Sequence, residues 1–225
     1  MKIFISRELS SDSPFYRVLP AEKVQIFGES LVAFEQVQFE AIPAVDWCFF
    51  SSRNAVKFFM AGLKAAKLSM PPTIQLGALG EGTSKALKEL GYVADFAGNG
   101  DPEMVGQAFG IVAIGKRVLF PRAAQSRESI QKSLVKTVTI ADLVVYDNVP
   151  RQDFEIPEVD ILVFTSPLNA QAYFARYSLL AGQKVVAIGH TTAQAIADLG
   201  ISTVFIAPTP TEEVLAEICK SQLAI

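Results

Sequence analysis

The segment "ALGEGTSKALKELG" at 78–91 returns as "AIGHTTAQAIADLG" at 187–200, with Ala, Gly, Thr, Ala, Leu and Gly in step. Most other pairs are exchanges such as Leu for Ile or Glu for Asp. Three further pairs follow the same order. "DWCFFSSRNAVKFF" (46–59) resembles "DILVFTSPLNAQAYF" (160–174) with one inserted residue. "FAGNGDPEMVGQAF" (96–109) parallels "FIAPTPTEEVLAEI" (205–218) at the same separation as the first pair. "KIFISR" near the start echoes "RVLFPR", which ends at Arg122. An internal repeat on this scale means one set of supersecondary units built twice.

Each block reads as a strand followed by a helix. "WCFF" and "ILVFT" are short apolar runs of the kind found in parallel strands covered on both faces. Ser52 and Ser166 stand at N-cap positions before amphipathic stretches such as "NAVKFFMAGLKAAK". "TIQLGALG" and "KVVAIG" are again strands, leading through Gly80 and Gly189 into helices that end at Gly91 and Gly200. Pro102 and Pro210 lie near the starts of the fourth helices, where a missing N–H costs little. The alternation predicts an α/β fold with two similar doubly wound parallel-sheet lobes.

Two β-rich segments fall between the copies, "SLVAFEQVQFEAIP" (30–43) and "TVTIADLVVYDNVP" (137–150). They are expected to pair as a two-stranded β connection. One lobe is then discontinuous, formed by 1–36 plus 149–225, and the other spans 40–145. Strand C-termini and helix N-termini are expected to face a cleft between the lobes, because ligands of open α/β sheets bind at those ends.

Half of the 225 residues are hydrophobic, which argues against disorder. No apolar run approaches the roughly 18–20 residues a membrane span needs, and the apolar part of the N-terminus is short for a secretory signal. Cys48 and Cys219 lie far apart in apolar stretches, as buried free thiols of a reducing compartment do, so a cytoplasmic location is expected. A net charge of −3 speaks against a nucleic-acid surface. One histidine and two scattered cysteines cannot assemble a soft metal site, and no calcium-loop or G-x-S-x-G pattern is present. The expected chemistry runs without metal, cofactor or covalent nucleophile.

The repeated turns "GEGT" (80–83) and "GHTT" (189–192) place glycine, a hydroxyl and free amides at a helix start, which favours anions. They lack the spacing of a dinucleotide or Walker phosphate loop. Thr83 and Thr192 serve equally well as simple helix caps, but the same device in both copies points to ligand contact. Ser51–Ser52 and Thr165–Ser166 form a second hydroxyl pair suited to carboxylates, with capping as the simpler alternative. Arg122 and Arg127 in "FPRAAQSRES" offer guanidinium forks, although surface arginines are common. Arg7 is a weaker candidate of the same kind. Tyr146 lies in the connecting segment, near the expected cleft. Most strand tyrosines are packing residues, but a phenol is protonated at pH 7 and can donate. The lone His190 reads as structural or exposed rather than catalytic.

Taken in register, "FFSSRNAVKFF", "ALGEGTSKALKELG", "VLFPRAAQSRESI", "VVYDNVP", "LVFTSPLNAQAYF" and "AIGHTTAQAIADLG" resemble the uroporphyrinogen-III synthase family over nearly the whole chain. That resemblance implies two α/β lobes joined by two β segments, and a cofactor-free, monomeric enzyme. Its substrate would be hydroxymethylbilane, a linear tetrapyrrole with an acetate and a propionate on each ring. The reaction expels the terminal hydroxyl as water, closes the macrocycle and inverts the last ring through a spirocyclic pyrrolenine. Carried onto this chain, Tyr146 is the acid or hydrogen-bond donor at the leaving oxygen. Ser51, Thr83, Ser166 and Thr192, with the amides of Ser52 and Gly189, hold carboxylates, and Arg122 and Arg127 supply positive charge. Partner expectations are the small-molecule substrate and a transient handover from the upstream deaminase, with no nucleic acid and no membrane. The sequence departs from the family pattern at His190, where many relatives carry proline, and in the "ELSSDSPFYRVL" segment after Arg7. A non-catalytic two-lobed sensor of a small anionic ligand is the competing reading, and a sugar-phosphate or nucleotide enzyme is a third.

Overall fold

A computed structural model of the chain describes residues 1–223. In chain order the first elements are β1 (Lys2–Ile5), α1 (Pro14–Val18), β2 (Gln25–Gly28) and β3 (Val32–Gln36). Next come β4 (Trp47–Phe50), α2 (Arg53–Ala65), β5 (Gln75–Ala78), α3 (Glu81–Glu89), β6 (Phe96–Ala97) and α4 (Pro102–Val112). They are followed by β7 (Arg117–Ala123), α5 (Ser129–Leu134) and β8 (Thr139–Pro150). The chain finishes with β9 (Ile161–Phe164), α6 (Pro167–Phe174), β10 (Lys184–Ala187), α7 (His190–Ala197), β11 (Phe205–Ile206) and α8 (Glu212–Ser221). Two compact units result, Met1–Ala33 with Val149–Ile225, and Phe34–Asn148.

The first unit holds a parallel sheet in the order β11-β10-β9-β1-β2, and the second holds β3-β8-β7-β4-β5-β6. Written from the other edge these are β2-β1-β9-β10-β11 and β8-β7-β4-β5-β6, with β3 added outside β8. The two sheets therefore have the same strand order. Each joins the first two strands of one sequence repeat to the last three strands of the other, so the repeats have exchanged their halves reciprocally. The 2-1-3-4-5 order is that of a doubly wound sheet with its topological switch between the first and third strands. Here the switch lies between β1 and β9 in the first unit, and between β7 and β4 in the second.

Alternating side chains of the central strands divide each core in two, because successive residues of a strand point to opposite faces. In the second unit, Cys48, Phe50, Leu76 and Leu119 pack under α2 and α3 with Val56, Phe59 and Leu87. Trp47, Phe49, Val118 and Phe120 pack on the other face with Val105, Phe109, Ile130 and Leu134 from α4 and α5. The first unit repeats the scheme. Phe4, Leu162, Phe164 and Val185 meet α6 and α7, while Ile3, Ile5, Ile161 and Val163 meet α1 and α8. Every residue of "WCFF" and "ILVF" is buried, as two-sided coverage requires.

The segments 30–43 and 137–150 pair as expected, through β3 and β8, and β8 has a second neighbour besides. β8 runs beside β7 from Thr139 to Tyr146, so most of it is an integral strand of the second sheet, and β3 pairs on its outer edge. Residues 37–45 contain no strand. Helix ends follow the local code: Gly91 and Gly200 take φ of +84° and +86°, and Tyr92 donates its amide back to the Leu87 carbonyl at 3.0 Å. No described helix is long and apolar enough to cross a membrane.

Both cysteines are free and buried. Burial pushes the Cys219 thiol up to about 12 and the Cys48 thiol well above its ordinary value. Neither forms appreciable thiolate near neutral pH, so native protein is expected to leave Ellman's reagent unreacted while guanidinium-unfolded protein yields two thiols per chain. The unfolded chain ionises first. The protonated thiols thus favour the fold fully below the ordinary thiol pKa, and that contribution falls as pH rises toward 12. Prompt reaction of one thiol in the native protein would show that one of these cores opens locally.

Candidate functional site

At the switch of the second unit, β4 is followed by Ser51 and Ser52. Ser52 is the N-cap of α2 and its hydroxyl accepts the Ala55 amide at 3.1 Å. Ser51 stays half-buried, and its hydroxyl makes no hydrogen bond among the described residues. In the first unit Ser166 caps α6, accepting the Asn169 amide at 3.3 Å and the Asn169 side-chain amide at 2.8 Å. Beside it, Thr165 donates its hydroxyl to the Ser6 carbonyl at 2.9 Å, and its amide donates to the Ser6 hydroxyl at 2.9 Å. Capping is thus real for both serines, and Thr165 is occupied in closing the β1–β9 crevice.

The threonines are placed differently. The N-caps of α3 and α7 are Gly80 and Gly189, and Thr83 and Thr192 stand three residues inside. Neither helix has a side-chain cap, whereas α2, α4, α6 and α8 are each capped by a serine, aspartate or threonine side chain. Reading Thr83 and Thr192 as caps is therefore corrected: the N-caps are glycines, and neither threonine hydroxyl accepts a helix amide among the described residues. Thr83 and Thr192 are only 6% and 3% exposed, yet neither hydroxyl has a hydrogen-bond partner among the described residues. Uncapped first-turn amides next to such a hydroxyl form an anion-receiving turn, and each unit carries one. The glycines differ in cause. A Cβ on Gly80 would come within 3.0 Å of the Gly100 Cα, so packing demands glycine there, whereas a Cβ on Gly189 would meet nothing within 4 Å. His190 is exposed at the first position of α7.

Arg122 leaves the end of β7 at a bulge between Arg122 and Ala123. Its guanidinium lies 3.1 Å from both Glu128 and Asp142 and donates to the carbonyls of Ala123 and Ala124. The Nε–Asp142 approach lacks hydrogen-bond alignment and leaves that buried nitrogen unsatisfied. Arg122's charge is already met within the unit. Arg127 is exposed and forms no ion pair among the described residues. Arg7, the weaker candidate, pairs with Glu212 at 2.8 Å.

Tyr146 lies opposite Ala123 in the sheet register, at the carboxyl end of β7. Its backbone is fixed from one side by Ala124, whose amide donates to the Tyr146 carbonyl at 2.9 Å. The neighbouring Val145 carbonyl accepts from Val37 and from the Gln36 side chain at 3.0 and 2.9 Å. The ring stacks on Phe58 at 4.9 Å and 18°, with Phe34 edge-on at 5.9 Å. The side chain is 8% exposed, and its hydroxyl has no hydrogen-bond partner among the described residues. It is a positioned phenol with an uncommitted proton.

Sequence reasoning missed Ser6 and Asn169. Asn169 is buried, holds Ser166, and accepts the Leu31 amide at 2.7 Å. The recurrence of "NA" at 54–55 and 169–170 hinted at it, but counting from the caps sets Asn169 opposite Ala55, not Asn54. No group of three or more metal-ligating side chains occurs among the described residues.

The family model described as "Uroporphyrinogen-III synthase HemD" matches residues 30–217. A crystal structure of uroporphyrinogen-III synthetase from Helicobacter pylori is similar at TM-score 0.65 and 22% identity, covering 98% of both chains. A mutant uroporphyrinogen III synthase from the extremely thermophilic bacterium Thermus thermophilus is similar at TM-score 0.50 and 18% identity, again over 98% of both chains. Comparison with individually curated proteins yields no match. At such identities the structural likeness speaks for the fold, while the family match spans most of the chain, with both hydroxyl pairs, both anion-receiving turns and Tyr146 inside it: the chain belongs to the uroporphyrinogen-III synthase family.

Proposed function

We propose that this protein cyclises hydroxymethylbilane to uroporphyrinogen III, losing water and inverting the terminal pyrrole. The observation that carries the reading is the pair of glycine-started helices α3 and α7, each with no side-chain cap and with a buried threonine whose hydroxyl has no hydrogen-bond partner among the described residues. A substrate with carboxylates on every ring offers each turn a partner. The open space at Gly189 lets a carboxylate approach the backbone amides closely, which supports the same reading. Ser51 and the Ser52 and Ser166 turns add hydroxyl and amide contacts, and Arg127 supplies the free positive charge while Arg122 stiffens the bulge beside Tyr146.

The bilane closes on its own to the symmetric type I isomer, so the protein acts chiefly by holding one folded conformation. Tyr146 gives its phenolic proton to the departing hydroxyl oxygen. The C–O bond breaks with its electron pair leaving on water, and an azafulvene-like cation stabilised by the substrate's own pyrrole nitrogen remains. Attack by the substituted carbon of the last ring gives the spirocyclic pyrrolenine. After rearrangement the ring proton that is lost restores the phenol. We assign the enzyme a monomeric, cytoplasmic state and transient receipt of bilane from the deaminase, in keeping with its chemistry and composition.

The test is a coupled assay in which porphobilinogen and a deaminase generate bilane in the presence of this protein, followed by oxidation and chromatography. Type III uroporphyrin is expected to dominate; the type I pattern of the protein-free control, with folded protein, would remove the reading. Thr83→Val and Thr192→Val are each expected to raise KM roughly two- to tenfold, as loss of one hydrogen bond among many does. Unchanged KM in both variants would exclude the hydroxyls as carboxylate ligands.

A further inference from the structure

Phe34 is an exception in a chain that buries most of its phenylalanines: its ring is 50% exposed. It opens the second unit on β3, standing at 65° to Tyr146 with centroids 5.9 Å apart and 6.4 Å from Phe58. Phe58 has its own faces occupied. One lies on Tyr146, and the Lys57 ammonium stands 5.7 Å from its centroid. Phe34 therefore carries the free ring of the cluster, directly beside the unpartnered phenol. The feature is not part of the repeat. Counted from the N-caps Ser52 and Ser166, the place of Phe58 is taken in the first unit by Ala172, which supports no such cluster.

We propose that Phe34 contacts the substrate, its ring lying against the pyrrole that becomes cationic when the hydroxyl leaves. The inference rests on the synthase reading and deepens it. The cation formed there has three fates: attack by the substituted ring carbon, which is productive, attack by the unsubstituted carbon, which gives type I, and recapture by water, which regenerates hydroxymethylbilane. An aromatic face stabilises a desolvated cation electrostatically and also keeps water from it. Recapture forms a new C–O bond with a solvent oxygen and returns one proton to the site, so every futile cycle exchanges the hydroxyl oxygen with the medium.

The experiment uses the whole chain in water enriched in oxygen-18, with bilane supplied by a deaminase. It reads three quantities: kcat, the type III to type I ratio, and the label in recovered bilane above the protein-free control. Phe34→Ala is expected to lower kcat roughly tenfold, raise the type I fraction and raise label uptake per turnover. Phe34→Trp should keep all three near wild type. Phe34→Leu should keep label uptake low while kcat falls, because the leucine covers the site but has no π face. Since Phe34 is half exposed, thermal melting of all three variants should stay within a few degrees of wild type. A Phe34→Ala variant with wild-type kcat, isomer ratio and label uptake would overturn the inference while leaving the synthase reading intact. A wild-type chain producing only type I would overturn the synthase reading, and this inference with it.

Discussion

Tyr146→Phe is expected to lower kcat about a hundredfold or more, with KM nearly unchanged, in the coupled bilane assay. General acid assistance to a departing oxygen contributes on this scale, and the substitution removes only the donor. The ring remains stacked on Phe58 and edge-on to Phe34, so the pocket shape persists. Because the phenol has no partner among the described residues, its loss leaves no orphaned group inside the protein, and stability should move by less than about 0.5 kcal/mol. This separation of activity from stability is what makes the variant informative. Turnover at the wild-type rate would mean that the leaving hydroxyl takes its proton from elsewhere, water or a substrate carboxylic acid included. A loss of activity accompanied by a large drop in melting temperature would assign Tyr146 a packing role.

Phe49→Ala is expected to produce the largest stability loss of any single truncation in the second unit, about 3–5 kcal/mol. The ring is fully buried and lies 4.6 Å from Phe109, 5.7 Å from Phe120 and 6.3 Å from Phe96. The neighbouring strand has already made room for it: a Cβ on Gly77 would fall 2.4 Å from its Cδ2. With glycine on one side and three rings on the others, little can collapse into the cavity. Urea unfolding followed by tryptophan fluorescence reports on this core, since Trp47, the only tryptophan, stands edge-on to Phe109 at 5.1 Å. A midpoint shift on the order of 1–3 M is expected for a loss of this size. A loss under about 1 kcal/mol would mean that the aromatic cluster repacks and that its ring contacts are not what holds the sheet to α4 and α5.

Much of the α/β class was legible because it is written locally. Four-residue apolar runs, serines ahead of amphipathic stretches, and glycines past helix ends each act within a few residues, and physical chemistry allows few conformations for each. Gly91 and Gly200 show this directly, with the left-handed backbone that their positions anticipated. The buried thiols were legible for a similar reason, because Cys48 and Cys219 sit in largely apolar stretches that the fold turns inward. The threonine turns were only half legible. Their duplication marked them, but the role of each hydroxyl depends on which residue becomes the N-cap. The helix start decides that, and it fell on Gly80 and Gly189.

The sequence by itself determined the list of strand–turn–helix units, their repetition and the residue types available for chemistry, since these depend on neighbours along the chain. Only the tertiary structure decided that β1 lies beside β9 and β7 beside β4, so that each sheet is assembled from halves of two repeats. Likewise, only the tertiary structure committed Arg122 to Glu128 and Asp142, and gathered Phe34, Phe58 and Tyr146 into one cluster. The reason is the same in each case. A guanidinium takes whichever carboxylates the folded chain brings within about 3 Å, and a ring stacks on whichever ring the sheet order places beside it. Neither choice is encoded in sequence spacing.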